Sequence, residues 1–303
     1  MNEHDEVDPF AELRDWGKKT ERKVRRERQV RGAGKSLRYV VMAGVAGVMI
    51  AATVPVVRAL WPAVSASADD TPAAAASSDT SPFTGTAAAN YPIGEAGIVL
   101  PEVKAVTGFS ATEVRTALNT VRAALVAGRL DEDTLVRHRK DEFLGLLAPN
   151  DRTSVAKWFG SASFGTVVTW IDPAVTLDPA NRPRVSGRVT YKSVVDDGIR
   201  TIRVTTNFVW VYAFQGEFAF RPLAVEHEQV DWEFPDEDKV RPGDRGMWIG
   251  ANTSYHAWID FAAAKKGLLA PTPKDAGAGL PNAEDQESLA KPEHPLDIRD
   301  NCT

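Results

Sequence analysis

Cysteine is almost missing from this chain: its 303 residues hold a single one, Cys302, second from the end. One cysteine builds no internal disulfide and no paired-cysteine metal site, so whatever folds here is held by an apolar core. An excess of one charge is missing too. With 36 basic and 41 acidic residues the net charge is −5, which gives the whole protein no nucleic-acid signature. The signatures of well-known chemistries are also lacking: there is no Gly-x-Ser-x-Gly elbow and no His-Glu-x-x-His helix. Gly34-Lys35-Ser36 looks like the end of a phosphate loop, but Gln29 stands where that loop needs a glycine, so nucleotide binding is rejected. No cofactor, no metal and no catalytic residue is assigned.

Long apolar runs are absent with one exception. Residues 39–57 carry no charge and, as a helix, span roughly 28 Å, about the hydrocarbon thickness of a bilayer. Ten Lys and Arg between Lys18 and Arg38 precede the run, opposed by Glu21 and Glu27, while Asp69 and Asp70 follow it. The bias predicts one transmembrane helix, a signal-anchor over residues 39–60, with the N-terminus cytoplasmic and the remainder outside. Residues 18–38 are then expected to touch anionic lipid. Ala66-Ser67-Ala68 also fits a cleavage site, so a cleaved signal peptide is the rival reading. Within the span, Ala43, Gly47 and Ala51 form a small-residue stripe for helix packing. In the basic tail, residues 1–38, Phe10, Leu13 and Trp16 share one face of a short amphipathic segment, a candidate cytoplasmic docking helix or merely apolar points on an unstructured tail.

Residues 61–104 are rich in Ala, Ser, Thr and Pro and read as a flexible linker; 267–303 read as a disordered tail. The folded unit is expected over 105–266. Its first element is spelled out: Ser110 and Glu113 make a capping box, Phe109 and Val114 a hydrophobic staple, and Val114, Leu118, Val121 and Leu125 one apolar face. Shorter helical pieces follow, and from Thr166 the period becomes two. Strands are expected over 166–171, 184–195, 199–214 and from 217 to about 234, with Asp196-Asp197-Gly198 as a hairpin turn. Ile202, Val204, Phe208, Trp210, Tyr212 and Phe214 should face inward, and Arg203, Thr205 and Asn207 outward. Helices followed by long antiparallel strands give an α+β fold, with helices packed on one curved antiparallel sheet of about four strands. Residues 235–266, with Trp248, Tyr255 and Trp258, are expected to cover an edge or the mouth.

Three clusters carry candidate chemistry. Phe208, Trp210 and Tyr212 line a candidate ligand cavity. Glu226, His227, Glu228 and Asp231 form a polar cluster on the fourth strand; strand alternation sends Glu226 and Glu228 to one face and His227 to the other, so the simple reading is a solvated polar strand. His256 and Asp260, four apart, would pair on a helix over residues 254–264. The element order resembles that of cone-shaped domains, which include isomerases and dehydratases, and by that resemblance alone Tyr212 and Tyr191 would be donors and Asp231 the base, although no spacing links the three.

In element order and strand length the outer domain resembles the cystatin-like or nuclear-transport-factor-like cone. The whole layout is similar to that of bitopic assembly factors of type IV secretion and conjugation channels, and of Mce-associated membrane proteins. The resemblance implies a non-enzymatic membrane-anchored scaffold of a bacterial cell-envelope complex, with protein partners and no nucleic acid. It leaves homo-oligomerisation open. The alternative is an enzyme or small-ligand receptor that uses the cone's cavity on the outer face of the membrane.

Overall fold

The structure is a computed structural model and describes residues 81–276 and 283–296. Helix α1 (Ala111–Arg129) begins where the capping box places it: Ser110 Oγ accepts from the Glu113 N–H at 3.3 Å, and Glu113 Oε2 accepts from the Ser110 N–H at 2.7 Å. The two reciprocal bonds satisfy donors that a helix start leaves orphaned. Val114, Leu118, Val121 and Leu125 are buried along one stripe. Three short helices follow, α2 (Glu132–Leu135), α3 (Asp141–Gly145) and α4 (Pro149–Val155). The Asp131 carboxylate caps α2 and Pro149 occupies the first turn of α4, where its missing N–H costs nothing.

The main sheet has the order β2 (Arg184–Asp196), β3 (Ile199–Ala213), β4 (Leu223–Pro235), β5 (Trp248–Ala257), all antiparallel. Asp197 and Gly198 join β2 to β3 with φ of 48° and 81°, the left-handed pair that a two-residue hairpin needs to match strand twist. Inside β2, Gly187 lies opposite Phe208; a Cβ there would stand 2.3 Å from the Asn207 carbonyl oxygen and 2.3 Å from the Phe208 ring. Two short strands, β1 (Trp170–Ile171) and β6 (Leu268–Leu269), pair in parallel, and helix α5 (Phe261–Ala264) leads into β6.

The sheet is covered on both faces. On the inner face Val204, Phe208, Trp210, Tyr212, Phe214, Val230 and Trp232 pack in one core with α1 and the short helices. On the outer face Val209, Val211, Ala213, Leu223 and Val225 pack against Phe83, Ala88, Tyr91, Trp258 and Ala290. The last of these follows helix α6 (Ala283–Leu289), and the first three precede the domain's long helix by some twenty residues.

Several expectations are corrected here. Among the described residues no helix is long and apolar enough to cross a membrane. The longest, α1, carries Glu113, Arg115, Arg122 and Arg129. The combination of a single transmembrane helix with a cone is therefore corrected, and with it the one-span membrane partner and the single-pass localisation; the anionic-lipid contact expected of residues 18–38 lies outside the described residues. The residues on which those readings rested, among them Ala43, Gly47 and Ala51 in 39–60 and Phe10, Leu13 and Trp16 in 1–38, lie outside the described residues. Of the strand expected over 166–171, Thr166 ends a 3-10 turn (Ala162–Thr166) and only Trp170 and Ile171 form a strand. Residues 248–257, expected as a cover, are the fourth strand of the sheet. Parts of the expected linker and tail are built into the outer core, because Phe83, Tyr91 and Ala290 have an apolar sheet face to bury against.

Candidate functional site

Strand β4 alternates as its sequence requires, and the direction of that alternation makes the site. Glu226 and Glu228 project into the inner face, between the helical layer and the sheet, where they are 3% and 1% exposed. The expectation of a solvated polar strand is thus corrected. Burial of two carboxylates needs a cation, and Arg129, the last residue of α1 and 0% exposed, supplies it. Its Nη1 lies 2.8 Å from Glu226 Oε2, and its Nη2 donates to Glu228 Oε2. Nη1 also reaches Thr169 Oγ1 at 2.8 Å, and Nη2 the Gly165 carbonyl at 3.2 Å. Arg129 Nε is buried without a partner.

The remaining contacts close the cluster. Trp210 Nε1 donates to Glu228 Oε1 at 3.1 Å, and Thr169 Oγ1 donates to Glu226 Oε2. The Tyr212 hydroxyl donates to the Arg129 carbonyl at 3.0 Å and lies 3.0 Å from Thr169 Oγ1. On the solvent side, His256 Nε2 stands 3.4 Å from Glu226 Oε1 with its side chain 28% exposed. All four carboxylate oxygens are therefore engaged. Burial alone would raise the Glu226 carboxyl, but the Arg129 charge, with His256 and Thr169, outweighs it and holds the group below the usual range. Burial, reinforced by the Glu226 charge, holds the Tyr212 phenol well above its ordinary value. The cluster is an ion network with its proton acceptors occupied, not a carboxylate waiting for a substrate.

The other predicted residues are separated by the sheet. His227 faces outward, with Nδ1 2.7 Å from the Tyr255 hydroxyl and Nε2 3.0 Å from Asn207 Oδ1. Asn207, expected on an open outer surface, is buried under that contact. Asp231 is also on the outer face, accepting from Thr205 Oγ1 at 2.6 Å, so it cannot serve Tyr212 as a base. Tyr191 is spent on the backbone of the segment before α1, donating to the Glu102 carbonyl at 2.9 Å. His256 and Asp260 do not share a helix: His256 is on β5, while Asp260 caps α5 through the Ala262 N–H at 2.8 Å. Phe208, Trp210 and Tyr212 are brought together, but as fully buried core beside Arg129 rather than as the lining of an open cavity. Among the described residues no three His, Cys, Asp or Glu side chains converge as a metal site requires.

Sequence reasoning missed Arg129 and Thr169. Arg129 had a signal: it stands four residues after Leu125, on the apolar stripe of α1, and an arginine in such a stripe is buried only with a partner. Comparison with protein-family profiles, with curated proteins and with solved structures finds no match for this chain.

Proposed function

We propose that this chain is a non-enzymatic binding protein that scaffolds an assembly with other proteins. The observation that carries the reading is the engaged state of the inner cluster, in which Arg129, Thr169, Trp210 and His256 occupy every oxygen of Glu226 and Glu228. Such a network fixes α1 to β4 and makes the domain a rigid body, which suits a surface that partners recognise. The element order, helices and then long antiparallel strands, is the one on which the resemblance to assembly-factor domains rests. The alternative, a receptor or enzyme working in the cone interior, lacks such support, because Arg129, Trp210 and Tyr212 are all fully buried there.

The test compares wild type with the charge-free triple variant Arg129→Met, Glu226→Gln, Glu228→Gln after crosslinking in cells and capture of the full-length chain. The expected result is the same small set of proteins, in near-equal amounts, with both. Capture of nothing specific by wild type overturns the reading. So does loss of the partners in a triple variant whose circular dichroism and melting show it folded, since the cluster would then act directly in function.

A further inference from the structure

Beside the ion network, whose Gly165 and Thr169 adjoin Phe164 and Trp170, a groove of about 550 Å³ opens between residues 159–164, β1 and the α5–β6 turn. Its floor is aromatic. Trp170 stacks on His138 with ring centroids 4.7 Å apart and planes within 9° of parallel, and it packs against Phe164 at 4.4 Å and Phe159 at 5.2 Å. His138 is held for this position at a local cost. Its φ is 56°, a conformation that non-glycine residues rarely adopt, and its Nε2–H donates to the Ile171 carbonyl at 2.8 Å.

Two further observations point to a ligand. The Trp170 indole N–H is buried and has no acceptor within the described chain. The rim is cationic. Lys265 and Lys266 line the groove and, among the described residues, neither forms an ion pair; no aspartate or glutamate lines it. Lys140 adds its ammonium 5.0 Å above the Phe159 ring. The lysine turn is set down on the floor by Gly267, at φ 77°, where a Cβ would come within 2.6 Å of the Phe164 ring.

We propose that this groove binds a small planar aromatic carboxylate, its ring packed among the aromatic side chains that line the groove and its charge against Lys265 and Lys266. The volume is within the range of small-ligand pockets, ~300–1,000 Å³, which favours a single flat molecule over a length of acidic peptide. Aromatic stacking accounts for the ring and the uncompensated lysines for the anion. The groove adjoins the ion network but is lined by none of its charged groups, and the proposal holds whether or not the scaffold reading does.

The experiment titrates the full-length chain with 1-naphthoate and follows the indole N–H resonances of 15N-labelled protein, the Trp170 signal among the eight tryptophans being identified with Trp170→Phe. The expected result is a saturable shift centred on Trp170. The double variant Lys265→Ala, Lys266→Ala, whose side chains are exposed and leave the fold intact, should bind about five- to tenfold more weakly, and Lys→Arg at both positions should restore binding. Neutral 1-naphthalenemethanol and non-planar cyclohexanecarboxylate should each bind less well than 1-naphthoate. No saturable shift at Trp170, or equal affinity in the double alanine variant, overturns the proposal. Saturation of the Trp170 shift by an acidic tetrapeptide at lower concentration than by 1-naphthoate would overturn the ligand class in favour of a peptide.

Discussion

Arg129 is the residue on which the inner core depends most. It neutralises two carboxylates taken out of water, so its removal strands both. Arg129→Met is expected to destabilise the domain by about 3–5 kcal/mol, whereas the charge-free triple variant recovers most of that loss, because desolvation of the ion network offsets much of its attraction. Urea unfolding of the two proteins checks the ordering. Two other buried groups set opposing acid slopes. Burial, and then the charges of His294 and Arg188, push the His227 imidazole down to about 4 from 6.5. The unfolded chain therefore takes this proton first, and the contribution of neutral His227 to stability is lost as pH falls from 6.5 towards 4. Asp151 is shifted upward. Burial raises its carboxyl from 3.8 to about 6 despite its bond from the Ile249 N–H, with Glu233 adding to the rise. Its contribution is present in acid and is lost as pH rises from 3.8 to about 6. The two effects partly cancel. Asp151→Asn keeps an acceptor for Ile249 and should steepen the loss of stability on acidification, while His227→Gln should flatten it. Denaturation curves at several pH values in that window decide, and parallel slopes in all three proteins would rule out both shifts.

At the scale of elements, α1 and the β2–β3 hairpin are set by local chemistry and the rest by long-range pairing. Ser110→Ala removes the cap of α1 and should cost about 1 kcal/mol. Gly187→Val drives a side chain into the Asn207 carbonyl and the Phe208 ring, and the resulting overpacking should cost about 1–3 kcal/mol or more. Thermal melts of the two variants would show the hairpin change as the larger; a melt for Gly187→Val equal to wild type would mean the strands are looser than described. This division explains what could be read beforehand. The capping box and the Asp197–Gly198 turn are signals within four residues, and both are in place. Glu226 and Glu228 looked solvated because their partner is 97 and 99 residues away. Residues 254–257 looked helical because His256 and Asp260 are four apart, yet pairing with β4 overrides that spacing. The outer core was hinted at in β3, where Val209 and Val211 alternate with Phe208, Trp210 and Tyr212; a strand apolar on both faces has to be covered twice.

At the scale of the whole molecule, the outer face of the sheet is closed by segments from opposite ends of the described chain. The Tyr91 hydroxyl donates to the Ala290 carbonyl at 2.7 Å, the Ala87 N–H to Glu287 Oε1 at 3.0 Å, and the Trp258 N–H to Gln286 Oε1 at 2.6 Å. Truncation after residue 276 uncovers Trp258, Val209 and Val225 together. It should lower the melting temperature by about 5–10 °C and raise the fluorescence of an added naphthalene sulfonate dye; an unchanged melt with no dye signal would show that α6 covers nothing. The same clasp has a bearing on how the protein is made. Its two halves are separated by 200 positions, which a ribosome working at ~5–20 residues per second needs on the order of 10–40 s to cross. The β2–β3 hairpin ends at Ala213, so for the last ~4–15 s of that interval Val209 and Val211 exist without the cover that α6 gives them. Closure of the outer core therefore waits on synthesis of α6, which makes that face of the sheet the last to be covered.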